Sequence, residues 1–128
     1  MSINLIASIA AGGAAGALAR YALMGAVGHW LGTGFPYATL AVNVLGCFAM
    51  GALVEAFAFA WSASPETQAF LTVGFLGAFT TFSAFTLDVN LLMAQGRLAP
   101  AALYVAASVL LTIAAFFAGM ALLRHVLP

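Results

Sequence analysis

The residues best suited to chemistry lie together in the stretch Gly74–Thr86, which reads GFLGAFTTFSAFT. This stretch combines phenylalanines with hydroxyl residues inside a hydrophobic segment long enough to cross a membrane. Phe82 and Phe85 are three positions apart, so they share one face of a helix. The edge of an aromatic ring carries partial positive charge, and ring edges could stabilise a partly dehydrated anion. Such binding would be weak enough to release the anion, as conduction requires.

The same stretch also has simpler interpretations. A phenylalanine stripe on a membrane helix usually faces lipid or packs against other helices, although the interleaved hydroxyl groups favour a face turned towards protein or water. Gly77 permits either close helix packing or a local break in the helix. A break over Gly77–Thr80 would turn backbone carbonyls off the helix axis, where they are good ligands for a hard cation.

Two other segments contribute polar side chains. Tyr104, Ser108 and Thr112 are spaced i, i+4, i+8 on one helix face, so they form either a polar track or three local bonds to their own helix. Among the uncharged side chains of the second predicted span, Asn43 costs the most free energy to place in the membrane, so it needs hydrogen-bond partners. It is predicted to be either a fastener between helices or a ligand.

A bilayer must position these residues, because 66% of the 128 residues are hydrophobic and only 5% are charged. A soluble domain has about 25% charged residues. The chain has three arginines and no lysine, which is too little positive charge to form a nucleic-acid-binding surface. Nothing in the sequence supports catalysis. We predict an all-α membrane protein, with residues 1–128 as a single domain of four spans. The predicted spans are Asn4–Trp30, Tyr37–Trp61, Thr67–Gln95 and Pro100–Leu123.

Helical rise converts sequence position into depth, and four spans place both termini on one side, here called side A. Asn43 then lies about 9 Å, Ser108 about 12 Å and Phe82 about 8 Å below the opposite side B, with Arg20 within about 6 Å of it. Glu55 and Asp88 fall near the two surfaces. The convergence of polar residues in one half of the membrane predicts a site or pathway there.

The arginines give almost no preference for one orientation. Arg124 lies on side A, whereas Arg97 and Arg20 lie on side B. A chain with so small a bias could insert both ways and form an antiparallel homodimer, or one weakly preferred orientation could dominate.

With these motifs in place, the chain closely resembles the Fluc (CrcB) family of bacterial fluoride ion channels over essentially its whole length. Three motifs carry the resemblance, and the one in the third span is the most specific. They are Gly12/Gly13/Gly16 followed by Ala19-Arg20, Thr39-x-x-x-Asn43-x-x-Gly46, and Gly74-Phe-Leu-Gly77 running into Thr80-Thr-Phe-Ser-x-Phe85.

The resemblance implies an antiparallel, dual-topology homodimer with two fluoride pores and a third helix broken near the midplane. It further implies that Arg20 lies near an aqueous vestibule, and that backbone carbonyls of Gly77 and Thr80 hold a structural sodium ion at the dimer interface. The residues that it assigns to the fluoride pore are Asn43, as a hydrogen-bond donor, Phe82 and Phe85, through their ring edges, and Thr39, Thr81, Ser83, Tyr104, Ser108 and Thr112.

Ala78, Ala84 and Thr86 depart from the family pattern, which often has a second glycine, a hydroxyl residue and a serine there. The expected function is passive fluoride export across the bacterial inner membrane. The alternative is a small four-span drug/proton exchanger of dual topology, which would need a membrane-buried carboxylate. The first span has no acid.

Overall fold

The computed structural model describes residues 1–127, which form helices joined by short turns. Four helical stretches are long and apolar enough to cross a membrane, and the third of them, Pro65–Ala94, is interrupted. The prediction of an all-α protein with four spans is therefore confirmed. The elements are α1 (Ile3–Leu31), α2 (Tyr37–Phe59), α3 (Pro65–Ala69), a π-helix (Phe70–Leu76), α4 (Gly77–Phe79), α5 (Phe82–Ala94) and α6 (Leu98–Val126).

Local sequence explains where the helices begin and end. Ser64 caps α3 by accepting a hydrogen bond from the Thr67 amide (3.1 Å), and Pro65 occupies the first turn, where no amide donor is needed. Gly32 and Gly96 adopt φ angles of 77° and 72° in the turns after α1 and α5, a conformation that favours glycine. Five of the eight span ends lie one to three residues beyond the predicted ones, and the start of α2 coincides with its prediction. The ends of α2 and α5 come two residues and one residue earlier than predicted.

The third span departs from a regular helix in two places. Phe70–Leu76 is π-helical, and the chain becomes extended at Thr80 (ψ 156°) and Thr81 (φ −151°, ψ 118°) before α5 begins. The expected break over Gly77–Thr80 is thus present, but Gly77 itself is helical (φ −61°, ψ −35°) and the break lies at its C-terminal end. The break needs no glycine because Thr81 caps the new helix, accepting from the Ala84 amide at 3.1 Å.

Glycines allow the spans to approach closely. A methyl group at Gly12 or Gly16 would meet the backbone of Phe70 or Phe75, so the Gly12-x-x-x-Gly16 motif lets the two backbones approach closely. On the other side of the molecule, Gly51 faces the Phe116 carbonyl and Gly119 faces the Phe48 carbonyl in the same way. The first span is thereby packed on the third, and α2 on α6.

An ion pair with a buried carboxylate also joins α2 to α6. The side chain of Glu55 is only 4% exposed, and both of its oxygens accept from Arg124, at 3.1 Å from Nε and 3.2 Å from Nη2. Arg124 remains 64% exposed, so its charge keeps much of its hydration. The carboxylate is therefore neutralised at little desolvation cost to its partner.

We expect the single substitution Arg124→Gln to lower the melting temperature of the protein, because it leaves the Glu55 carboxylate buried without a cation. The double variant Glu55→Gln/Arg124→Gln should recover most of this loss, since two amides can bond to each other. Thermal unfolding in detergent, followed by size-exclusion chromatography, measures both. Equal stability of the single variant and the wild type would contradict the prediction.

Candidate functional site

The break in the third span is held by the side-chain amide of Asn43. Its Nδ2 donates to the Thr81 carbonyl at 3.0 Å, and its Oδ1 accepts from the Thr81 amide at 2.7 Å. The side chain thus replaces both helical bonds that the backbone of Thr81 would otherwise make. Of the two interpretations, the structure shows Asn43 as a fastener, and its second Nδ2 proton is still available for a ligand.

Arg20 supports the same break from the first span. Its Nε donates to the Ala78 carbonyl at 3.0 Å, which places a cation beside the last turn before the break. The Thr80 hydroxyl turns back to the Leu76 carbonyl (2.9 Å) and closes that turn. Side chains from two other spans therefore fix the irregular backbone.

The break releases two backbone carbonyls. In a continuous helix the carbonyl of Gly77 would accept from the Thr81 amide, and that of Thr80 from the Ala84 amide. Both amides bond elsewhere, to Asn43 Oδ1 and to Thr81 Oγ1 respectively. Gly77 is also exposed on the surface of the described chain. Two uncharged oxygen donors near an open surface match the chemistry that a hard monovalent cation requires.

A cavity of about 230 Å³ lies beside the break and gathers side chains from α2, the third span and α6. It contains most of the predicted pore residues. Its lining residues are Asn43, Cys47, Thr80, Thr81, Phe82, Phe85, Ser108, Val109 and Thr112.

Ser108 provides the clearest unsatisfied polar group in this cavity. The residue is 8% exposed, and its Oγ has no hydrogen-bond partner within residues 1–127. Thr112 donates instead to the Ser108 carbonyl (2.5 Å), so it bonds back to its own helix. A buried hydroxyl without a partner is costly unless a ligand or water satisfies it.

The two phenylalanine rings form the other wall. Phe82 and Phe85 have centroids 5.2 Å apart with planes inclined by 53°, so the rings do not stack face to face. Phe85 packs in turn on Tyr104, at 5.1 Å and 47°. Phe82 is 79% exposed in the single chain and is therefore free to contact a ligand or a partner surface.

Several predicted pore residues lie outside this cavity. Tyr104 is fully buried and its hydroxyl donates to Asp88 Oδ2 at 2.9 Å. Ser83 is exposed and its hydroxyl lies 3.2 Å from that of Thr81. Thr39 lines a second, larger cavity of about 790 Å³ between α1, the α1–α2 turn, the start of α2 and α5, together with Arg20, the predicted vestibule residue.

Sequence reasoning did not identify Cys47 and Val109 as wall residues of the small cavity. Cys47 lies four positions after Asn43, on the same face of α2, and Val109 follows Ser108, so helical spacing was a usable signal. Asp88 was placed only by its depth. Its position one turn after Phe85 gave no indication of the bond to Tyr104.

Comparison with known proteins identifies the family. The family model described as CrcB-like protein, Camphor Resistance (CrcB), matches residues 7–120. A fluoride-specific ion channel FluC of Rhodospirillum centenum is 54% identical over 122 residues, which cover 95% of this chain and 97% of the relative. The proteins of the same name from Chelativorans sp. and Nitrobacter winogradskyi are 53% and 42% identical, over 91% and 97% of this chain and 93% and 98% of their own lengths. With its four spans and broken third helix, this chain belongs to the CrcB-like family.

Proposed function

We propose that the protein is a fluoride-selective ion channel that lets fluoride leave the cell passively, and that it is a transporter rather than an enzyme. The relatives named above bear the name fluoride-specific ion channel. The observation that carries the proposal is the cavity at the helix break, where the unpartnered Ser108 hydroxyl faces phenylalanine rings. A small, strongly hydrated anion needs such donors when it loses part of its water.

Different lining residues of the small cavity provide different interactions with the anion. The Ser108 hydroxyl and the second Nδ2 proton of Asn43 donate hydrogen bonds, and the edges of Phe82 and Phe85 add partial positive charge. Charged side chains are absent from the cavity lining formed by the described residues. The anion is therefore held by weak donors and can move on, as conduction requires. Arg20, beside the larger cavity, attracts anions to the vestibule.

The full pathway is proposed to need two copies of the chain in antiparallel orientation, in the bacterial inner membrane. The exposed Phe82 ring and the exposed Gly77 support a partner surface at the break. The near balance of arginines between the two sides supports insertion both ways up. Each copy would contribute one ring face or edge to a shared wall.

A structural sodium ion is proposed at this interface, held by the carbonyls of Gly77 and Thr80 from both copies. The fit rests on the amides of Thr81 and Ala84, which bond elsewhere and leave these carbonyls available. When bound, the ion supplies fixed positive charge that draws the two broken helices together. Asn43 and Arg20 hold the break in the shape that presents the carbonyls.

The exchanger alternative needs a carboxylate that trades protons within the membrane. Glu55 is buried but bonded to Arg124, and Asp88 accepts from Tyr104. Both acids are committed to structural partners, so the geometry favours the channel.

Fluoride efflux from liposomes that contain the purified protein tests the proposal directly. A fluoride electrode should record rapid fluoride efflux from these liposomes once the membrane potential is released. A chloride electrode should record no chloride efflux from the same liposomes loaded with chloride. Absence of fluoride efflux, or equal efflux of chloride, would overturn the channel assignment.

We expect Phe82→Ile to reduce fluoride efflux about tenfold, equivalent to about 1.4 kcal/mol, because an aliphatic side chain fills similar space but lacks a positive ring edge. Phe117→Ile is the matched control, since that ring is exposed on α6 and lies outside the cavity. Both variants should remain folded by size-exclusion chromatography. Undiminished efflux in Phe82→Ile would remove this ring from the pathway.

A further inference from the structure

We propose that the turn between α1 and α2, residues 32–36, acts as a clasp. Its contact residue is Phe35, and Arg97 at the start of α6 is the latch that holds it. Both are inferred to be positioning residues that hold the aromatic wall of the anion cavity in place. The proposal rests on the proposed fluoride conduction. It assigns a role to two residues that lie outside the small cavity at the helix break.

The latch joins the two turns on side B. Arg97, at the start of α6, donates from Nη1 to the Gly34 carbonyl in the α1–α2 turn. The backbone amide of Arg97 is also fixed, because it donates a hydrogen bond to the Leu92 carbonyl at 2.9 Å. Gly32 begins the α1–α2 turn and Gly96 directly precedes Arg97, and both glycines have positive φ angles. The guanidinium of Arg97 thus ties the α1–α2 turn to the start of α6.

The clasp reaches the protein interior through Phe35. Its ring lies edge-on to the ring of Tyr104, at a centroid distance of 5.6 Å and an interplanar angle of 84°. Tyr37 also packs on Phe35, at a centroid distance of 5.0 Å. Phe35 therefore covers the buried tyrosine from the side of the turn, in the edge-to-face arrangement that aromatic pairs prefer.

Tyr104 connects Phe35 to the wall of the small cavity. It is fully buried, its hydroxyl is fixed by Asp88, and its ring packs on Phe85 at 5.1 Å. Phe85 then contacts Phe82 at 5.2 Å. Because close-packed side chains transmit displacement rather than absorb it, removing Phe35 or its latch leaves Tyr104, and with it Phe85, free to shift.

Both latch and contact face the same larger cavity. Arg97, Gly34 and Phe35 are among its lining residues, together with Arg20 and Asp88. Arg97 could therefore act by charge alone, as a second cation that attracts anions, and the experiment must separate this from positioning. Phe35 is uncharged, which makes the separation possible.

The test measures fluoride efflux from liposomes for Arg97→Gln, Phe35→Leu and the double variant. Each single variant should reduce efflux about fivefold, and the double variant should lose little more, because both act through one contact chain. The losses should be the same at low and high ionic strength, since screening affects charge and not packing. Trp30→Leu serves as control, because this exposed ring contacts His29 and lies outside both cavities.

Hydrogen–deuterium exchange provides a readout that does not depend on conduction. The amides of Gly32 and Tyr37, which donate to the carbonyls of Gly28 and Phe35, should exchange faster in Arg97→Gln than in the wild type, because the turn loses its tether. Efflux of either single variant within twofold of the wild type would overturn the proposal, as would singles whose effects multiply in the double variant. An Arg97→Gln loss that disappears at high salt would assign that residue a charge role instead and overturn the latch. If wild-type liposomes fail to release fluoride, the proposed function fails, whereas the exchange data still report on the latch.

Discussion

Fluoride efflux should fall at least about a hundredfold when Asn43 is replaced by aspartate. The substitution changes shape very little, so its effect comes from hydrogen bonding and charge. The amide of Asn43 donates to the Thr81 carbonyl and accepts from the Thr81 amide. A carboxylate can still accept, but it has no proton to donate and it repels the Thr81 carbonyl oxygen.

The added charge has the larger effect, because Asn43 lines the cavity through which the anion is proposed to pass. Two like charges about 4 Å apart repel by about 4 kcal/mol at an effective dielectric constant of about 20. Since about 1.4 kcal/mol corresponds to a factor of ten, repulsion alone accounts for the expected loss. If the aspartate becomes protonated, the loss is smaller, and efflux should recover as the pH is lowered.

Asn90→Asp is the matched control for this prediction. Asn90 lies on α5 in the same third span, is exposed, and lines neither cavity. The control carries the same chemical change and should keep most of the wild-type efflux. Efflux of Asn43→Asp within tenfold of the control would contradict the assignment of Asn43 to the pathway.

The overall architecture was predictable because a bilayer imposes strong constraints. Hydrophobic length and turn residues such as Gly32 and Gly96 located four spans to within a few residues. Depth arithmetic also placed Asn43, Ser108 and Phe82 at one level, and the structure brings all three into one cavity. Depth is set by helical rise, which varies little between proteins.

The remaining details depend on contacts between spans, which sequence position does not encode. The break falls at Thr80–Thr81, next to the predicted glycine, because Asn43 on another helix supplies the missing bonds. Tyr104 shares a helix face with Ser108, yet Phe35 and Phe85 enclose its ring and direct its hydroxyl to Asp88. Helical spacing reveals the face of a residue, but not which neighbour covers it.

The same limitation applies to Glu55. Its position near the end of α2 suggested a surface location, and the structure shows a side chain 4% exposed that is bonded to Arg124. The two residues lie 69 positions apart, so only the packing of α6 on α2 brings them together. A carboxylate near a membrane surface can thus still be enclosed by protein.

Gly16→Ala should prevent the protein from folding into a stable, monodisperse form, with a loss of about 3 kcal/mol or more. A methyl group at this position would meet the Phe75 carbonyl oxygen, its carbonyl carbon at 2.8 Å and its Cα at 2.9 Å. These are backbone atoms of the π-helical segment, so no side-chain rotation can relieve the clash. The first and third spans would have to separate, and Arg20, one turn further along α1, would move away from the Ala78 carbonyl that it supports.

Gly13→Ala tests whether the effect comes from contact rather than from the loss of a glycine. A methyl group at Gly13 would have its nearest neighbour, the Gly74 carbonyl oxygen, at an ordinary contact distance of 3.9 Å. Alanine also favours the helix over glycine by up to about 1 kcal/mol, so this variant should be as stable as the wild type or more so. Size-exclusion chromatography and thermal unfolding in detergent compare the two variants directly. Because the positions lie on the same helix and differ mainly in their distance from the third span, similar behaviour of the two alanines would show that this close approach does not hold the spans together.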